Sequence, residues 1–223
     1  MNRAASVAAA AFILAAAGSA SAQDPLPGRF EVGGGLAWIG SASAGSNDAT
    51  ESTASGGSST IFSTSTRLAG VPGIRIHVAV RVTRALDVEG LATYSKPSLE
   101  TSVSNDIEHA SAVTATESVT QYVIGGGVLW YLPALRASRL RLFAAGHAAY
   151  LRQLHESDTL AATGQSYQVA GGVKWMVPLR RKSWIKAFGI RADGGVAARR
   201  KGVFFNDTAR FSPVAAASLA VRF

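Results

Sequence analysis

Phe30-Glu31-Val32-Gly33-Gly34-Gly35-Leu36-Ala37-Trp38 is echoed twice along the chain. The echoes are Tyr122-Val123-Ile124-Gly125-Gly126-Gly127-Val128-Leu129-Trp130 and Tyr167-Gln168-Val169-Ala170-Gly171-Gly172-Val173-Lys174-Trp175. Each copy opens on an aromatic, closes on a tryptophan eight residues later and holds a glycine pair between them. Side chains of an extended strand alternate between two faces, so both aromatics lie on one face. At ~3.3 Å per residue they stand about 26 Å apart. A strand inclined by about 40° would carry them through about 20 Å of height, close to the ~25 Å apolar band between the two aromatic girdles of a transmembrane barrel. Leu142 to Tyr150 forms a weaker version of the same unit. A soluble barrel has no reason to place aromatics at both ends of its apolar rows.

Outward from these repeats, the chain alternates with period two almost throughout. In Ile74-Arg75-Ile76-His77-Val78-Ala79-Val80-Arg81-Val82 the even positions are all β-branched. At the end of the chain Phe211, Pro213, Ala215, Ala217, Leu219, Val221 and Phe223 form one row, while Arg210, Ser212, Ser218 and Arg222 fall on the other. No segment has a convincing helical period. Eight strands are predicted near residues 29–40, 72–84, 86–97, 118–132, 139–152, 166–177, 184–199 and 210–223, an all-β up-and-down arrangement. The connections alternate long and short, as an even-stranded barrel with both termini on one side requires. The first long one is of low complexity: residues 41–66 hold nine Ser, five Thr and three Gly, which predicts a mobile, solvated segment.

The beginning of the chain reads differently. Asn2-Arg3 is a short positive region, Ala4 to Ala17 an apolar run and Ala20-Ser21-Ala22 a small-residue cleavage site, so residues 1–22 read as a signal peptide. The run is too short to cross a ~30 Å hydrocarbon layer as a helix. Residues 23–28, with Pro25 and Pro27, become a lead-in, and residues 29–223 a transmembrane β-barrel domain. The absence of Cys excludes disulfide scaffolds, thiol catalysis and cysteine-held metal. Only 16% of residues are charged, yet the net charge is +8. That total alone suggests nucleic acid or another anionic surface.

The position of the charges redirects that suggestion. Residues 41–66, 98–118 and 153–165 carry Asp48, Glu51, Glu100, Asp106, Glu108, Glu117, Glu156 and Asp158 without a single Lys or Arg. The short connections carry Arg84, Arg136, Arg139, Arg180, Arg181, Lys182 and Lys186 without an acidic residue. Only residues 200–209 break the pattern, with Arg200 and Lys201 against Asp207; a basic ring on the short connections fits phospholipid phosphates and not a nucleic acid. The remaining charges share the parity opposite the aromatics. Glu31, Arg75, His77, Arg81, Asp87, Glu89, Arg141, His147, Lys174, Arg191, Asp193, Arg199 and Arg222 all fall on it, interspersed with Gly and Ala. An eight-stranded barrel has an interior just wide enough for side chains to fill, and small residues make room there. This parity is therefore assigned to the lumen. The expected polar network comprises Glu31, Arg75, His77, Arg81, Glu89, His147, Lys174, Arg191 and Asp193. Within it Glu89 and Asp193 should pair with Arg81 and Arg191 or near neighbours, because an isolated buried ion is very costly.

With the leader, the girdle repeats, Arg141-Leu142-Phe143-Ala144-Ala145-Gly146-His147-Ala148-Ala149-Tyr150 and the ending Ser218-Leu219-Ala220-Val221-Arg222-Phe223 in view, the chain resembles the small eight-stranded outer-membrane β-barrel proteins, the OmpA transmembrane-domain, OmpX and OmpW-like group. The resemblance implies residence in the outer membrane of a Gram-negative-type bacterium. It casts Phe30, Trp38, Tyr122, Trp130, Tyr150, Tyr167 and Trp175 as aromatic girdle residues. Leu219, Val221 and Phe223 become a C-terminal signal for the barrel-assembly machinery, although Ser218 stands where Gly is usual. The implied partners are outer-membrane lipid, that machinery and an unidentified extracellular ligand at the loops.

Three functions follow as alternatives. The first is a structural or surface-interaction barrel with a side-chain-filled lumen and acidic, Ser/Thr-rich loops. The second is a narrow, weakly anion-preferring channel for small solutes. The third, a lipid-modifying enzyme, needs a nucleophile and base in reach of each other. His77 and His147 point away from lipid, and His155-Glu156-Ser157 is the lone adjacent trio of suitable types, on a loop with His109 on another. No enzyme activity, catalytic set, cofactor or metal site is predicted. The sequence lacks H-x₃-H, H-E-x-x-H and calcium-loop patterns, and its glycine stretches lie mid-strand with no phosphate-cradling helix after them.

Overall fold

The computed structural model describes residues 28–52, 56–104, 112–132, 139–155, 160–179, 184–203 and 208–223. The proposed leader, residues 1–22, lies outside them. Among the described residues eleven strands follow one another: β1 (Phe30–Ile39), β2 (Ala42–Ser52), β3 (Ser58–Leu68), β4 (Val71–Arg81), β5 (Leu86–Ser95), β6 (Ser98–Ser104), β7 (Val113–Tyr131), β8 (Leu140–His155), β9 (Ala161–Pro178), β10 (Ala187–Lys201) and β11 (Arg210–Arg222). Every pairing is antiparallel. Eight of the strands close on themselves in the order β1-β4-β5-β7-β8-β9-β10-β11, with β11 returning to β1. The fold is an eight-stranded up-and-down β-barrel, and closure leaves no open edge around its wall.

Closure is set at the two chain ends. Val32 stands across from Val221 and Trp38 from Ala215 in the β1–β11 register. Phe223 N donates to Phe30 O at 2.8 Å, and Arg29 N donates back to Phe223 O at 2.8 Å. Both termini of the barrel therefore lie at one end, which also carries the short β4–β5 connection, where Val82 N and Thr83 N both reach Leu86 O at 3.0 Å.

The opposite end departs from expectation. Of residues 41–66, expected to be a mobile loop, 42–52 and 58–66 form most of a β-hairpin, β2 with β3, registered from Ala42–Leu68 to Ser52–Ser58. Part of the second long connection, 98–117, is also strand: β6 pairs with β3 on one side and with the first residues of β7 on the other. Four barrel strands thus continue upward as a four-stranded apron on one half of the rim. Composition misleads here because small hydroxylated residues meet the needs of a sheet once a neighbour supplies backbone partners. Thr66 and Thr101 hydroxyls lie 3.1 Å apart, those of Ser102 and Thr114 3.0 Å, and Thr64 Oγ1 donates to Asn47 O at 2.9 Å. Ala42 and Ala44, with Leu99 packed against them, anchor the hairpin base.

The two faces of the barrel are opposite in character. Outside lie Phe30, Leu36, Ile74, Ile76, Ile124, Val169, Ile190 and Leu219, all at least half exposed. Inside lie charged and amide side chains. This inversion of a soluble core is what a hydrocarbon solvent demands, and closed barrels satisfy every backbone group within it.

Candidate functional site: the lumen

The lumen is built by the inward parity of all eight barrel strands. Glu31, Arg75, His77, Asp87, Glu89, Arg141, His147, Lys174, Arg191, Asp193, Arg199 and Arg222 are all buried there. Arg81, at the terminal end, is partly buried.

The first cluster lies toward the terminal end. Glu31 on β1 receives Lys174 Nζ from β9 at 2.7 Å on one oxygen and Arg222 Nη2 from β11 at 2.7 Å on the other. His77 Nε2 lies 3.7 Å from Glu31 Oε1. Lys174 also donates to Tyr131 OH at 2.9 Å, and Tyr131 OH donates to Asp87 Oδ2 at 2.6 Å. A chain of contacts Arg222–Glu31–Lys174–Tyr131–Asp87 therefore crosses the bore, linking β11, β1, β9, β7 and β5. Each link satisfies a group that would be costly to bury alone.

The second cluster centres on Arg191. Its Nη1 donates to Glu89 and its Nε to Asp193 Oδ1 at 3.0 Å. Glu89 also meets His147 Nε2 at 3.0 Å; a carboxylate can only accept, so this ring nitrogen carries the proton. Asp193 is held on its other oxygen by Arg75 Nη1 at 3.1 Å. The sequence pairs Glu89 and Asp193 with Arg81 and Arg191 or near neighbours; in the structure Arg191 contacts both carboxylates. Arg81 does not share them: it stands opposite Asp87 in the β4–β5 register, with Nε 3.9 Å from Asp87 Oδ1. Arg75, six residues along the same inward row, reaches Asp193 instead.

Two glycines make this packing feasible. Gly33 lies across from His77 and Gly127 from His147, and a Cβ at either position would run into the imidazole. By contrast Gly146, on the outward row, has open space where a Cβ would stand.

Several participants were not foreseen. Tyr131 and Phe143 meet edge-on at 6.2 Å, with Arg191 stacked 4.9 Å from the Phe143 centroid. Gln153 Nε2 donates to Gln121 at 3.0 Å, and Gln121 to Ser95 Oγ at 3.4 Å. Their inward parity was available in the sequence. Aromatic and amide side chains on that row carry no formal charge, so a pattern of charges does not mark them.

The outer surfaces are equally definite. Phe30, Trp38, Tyr122, Trp130, Tyr150, Tyr167 and Trp175 are all between 38% and 53% exposed on the outward face. Leu219 is exposed beside them, and the Phe223 ring tilts against Trp184 at 4.8 Å. At the apron, Arg67 Nε meets Glu100 Oε2 at 2.7 Å, so the acidic rim is partly neutralised from one residue beyond the first stretch counted in the sequence. His155 ends β8 and its Nδ1 lies 2.7 Å from Glu117 on β7; Glu156, Ser157 and His109 are outside the described residues. Among the described residues no group of three His, Asp or Glu side chains is arranged to hold a metal ion.

No protein-family model matches the sequence, and no curated protein does. Solved structures do match in shape. The outer membrane protein OprG from Pseudomonas aeruginosa superposes with a TM-score of 0.52 over 89% of this chain and 97% of its own, at 11% identity. Neisserial surface protein A (NspA) does so with a TM-score of 0.49 over 87% of this chain and 97% of its own, at 14% identity. Ail, the attachment invasion locus protein of Yersinia pestis, gives 0.43 over 87% and 99%, at 10% identity. At such identities the likeness to OprG is one of architecture, and it coincides with the closed eight-strand order and the inverted faces described above. In fold, the chain is a closed eight-stranded antiparallel up-and-down β-barrel, the architecture it shares with OprG.

Proposed function

We propose that this protein is an integral outer-membrane barrel whose lumen is a structural plug and whose business end is the apron above the rim. The observation that carries the reading is the engagement of all four carboxylates buried among the described residues, Glu31, Asp87, Glu89 and Asp193, by cations or hydroxyls from other strands. A permeant ion or solute would have to break several of these contacts at once. The exposed aromatics at the ends of the outward rows support a membrane-interface role for Phe30, Trp38, Tyr122, Trp130, Tyr150, Tyr167 and Trp175. The outward row Leu219, Val221 and Phe223, at the seam with β1, supports a role as assembly signal. Basic residues on the short connections would face the inner leaflet, where each well-placed cation is worth about 1 kcal/mol on anionic lipid. The apron, with hydroxyls and carboxylates on a paired framework, would present a surface to an extracellular ligand.

Membrane fractionation with a heat-modifiability gel tests the location and the barrel: the protein should enter the outer-membrane fraction and migrate differently with and without boiling. Planar-bilayer recording tests the plug. Silence, or rare small events, is expected; large stable anion-selective steps would overturn the plug in favour of a channel.

A further inference from the structure

Arg199 stands outside both clusters. Arg199, near the apron end of β10, is 2% exposed, and among the described residues it has no carboxylate partner. Its Nε and Nη1 are buried without an acceptor. Its register neighbours are Ser166 on β9 and Arg210 on β11, neither of which can neutralise it. Beside it is a small cavity of about 20 Å³, lined on its polar side by Arg75, Arg199, Gln168, Ser166 and Thr93. The remaining wall is aliphatic, including Ile39, Leu91 and Val214.

The unmet groups around this cavity are of one kind. Arg75 spends Nη1 on Asp193 and Nη2 on Gln168 Oε1, which leaves its Nε unmet; Gln168 Nε2 is unmet too. With Arg199 that makes four buried, unmet N–H-bearing atoms on residues that line the cavity and no unmet acceptor among the described side chains lining it. Among described residues the buried lumen also holds six Lys or Arg against four Asp or Glu. Donors, excess positive charge and aliphatic walls together select an anion, because charge-assisted hydrogen bonds strengthen where water is excluded. The volume sets its size. About one water-sized sphere fits, which suits a monatomic halide and not a tetrahedral oxyanion.

We propose that the chamber between Arg75 and Arg199 is a binding site for a single halide ion, chloride under ordinary conditions, reached from the apron end of the barrel. The ion would complete the lumen network by supplying the charge that Arg199 lacks. The clusters around Arg191 and Glu31 bar its passage to the other end, so this is a resident ion and not a conduction step.

Crystals of the full barrel grown in sodium bromide test this on the unaltered protein. A bromine anomalous peak within hydrogen-bond reach of both Arg199 and Gln168 is expected. An ordered Arg199 with no such peak overturns the proposal. In detergent, the unfolding midpoint should rise and saturate with chloride but not with gluconate at equal ionic strength. At chloride a hundredfold above its dissociation constant, the folded-to-unfolded ratio should gain about 100-fold. Arg199→Gln should abolish that gain. If that variant does not fold, the chloride–gluconate difference in the wild type decides alone, and equal midpoints in the two salts overturn the site. Equal stabilisation by sulfate overturns the halide assignment.

Discussion

Arg191 touches two carboxylates on different strands, and its removal would strand both. Arg191→Met leaves Glu89 with His147 alone and Asp193 with Arg75 alone. Uncompensated buried charge of this kind costs about 3–5 kcal/mol, which should appear as a lowered urea midpoint in phospholipid vesicles. Adding Glu89→Gln should recover part of the loss, since one of the stranded charges is then gone. Tyr131→Phe deletes a hydroxyl that donates to Asp87 and accepts from Lys174, and should cost about 1–3 kcal/mol by the same assay. Two neighbouring glycines offer a sharper contrast. Gly127→Val would drive a side chain into His147 and the β8 backbone, whereas Gly146→Val points into the lipid phase. Only the first should lose the heat-resistant gel band. All these residues could be assigned a face from parity alone, but which cation meets which carboxylate could not, because strand stagger decides it and parity carries no stagger.

Among the elements, the β2–β3 hairpin is where composition and structure disagree most. Its strands pair with each other and, through β6, with the start of β7. The bodies of β1 and β4 pair directly with each other from Phe30–Val80 to Ile39–Val71 without needing the hairpin. Replacing residues 42–68 by a short Gly-Ser turn should therefore leave the barrel's heat-modifiable band intact. In the full protein, hydrogen exchange at Asn47, Asp48, Ser63 and Thr64 should be slower than in an open chain yet faster than along β1 and β11. Exchange at the open-chain rate would mean that the apron does not persist in solution. The Ser/Thr content of 41–66 was readable and its strand character was not, because sheet formation by polar residues depends on a partner edge supplied by distant sequence.

At the scale of the whole molecule, the exposed apolar rows and the buried charges support the proposed lipid surroundings. Trp38, Trp130, Trp175 and Trp184 are all more than 40% exposed. In vesicles, lipids brominated near the acyl carbonyl should quench their fluorescence more than lipids brominated at the chain ends. Uniform quenching with depth, or none, would contradict a barrel seated between two aromatic rings.

The eight barrel strands and their inward and outward faces are legible in the sequence alone. Those features are local: a period of two and the spacing of aromatics within one strand carry them. Their boundaries were looser, and β7, β8 and β9 each run several residues farther than the apolar pattern suggested. Only the tertiary structure decided that Arg75 and not Arg81 holds Asp193, that Tyr131 bridges Asp87 to Lys174, that the first long loop is sheet, and that Arg199 is left without a described counter-charge. Each of these depends on the stagger between strands that are far apart in the chain, and a barrel's stagger is a property of its closure as a whole. A positive total that suggested nucleic acid is thereby resolved, among the described residues, into a lumen of cross-strand ion pairs with Arg199 outside them.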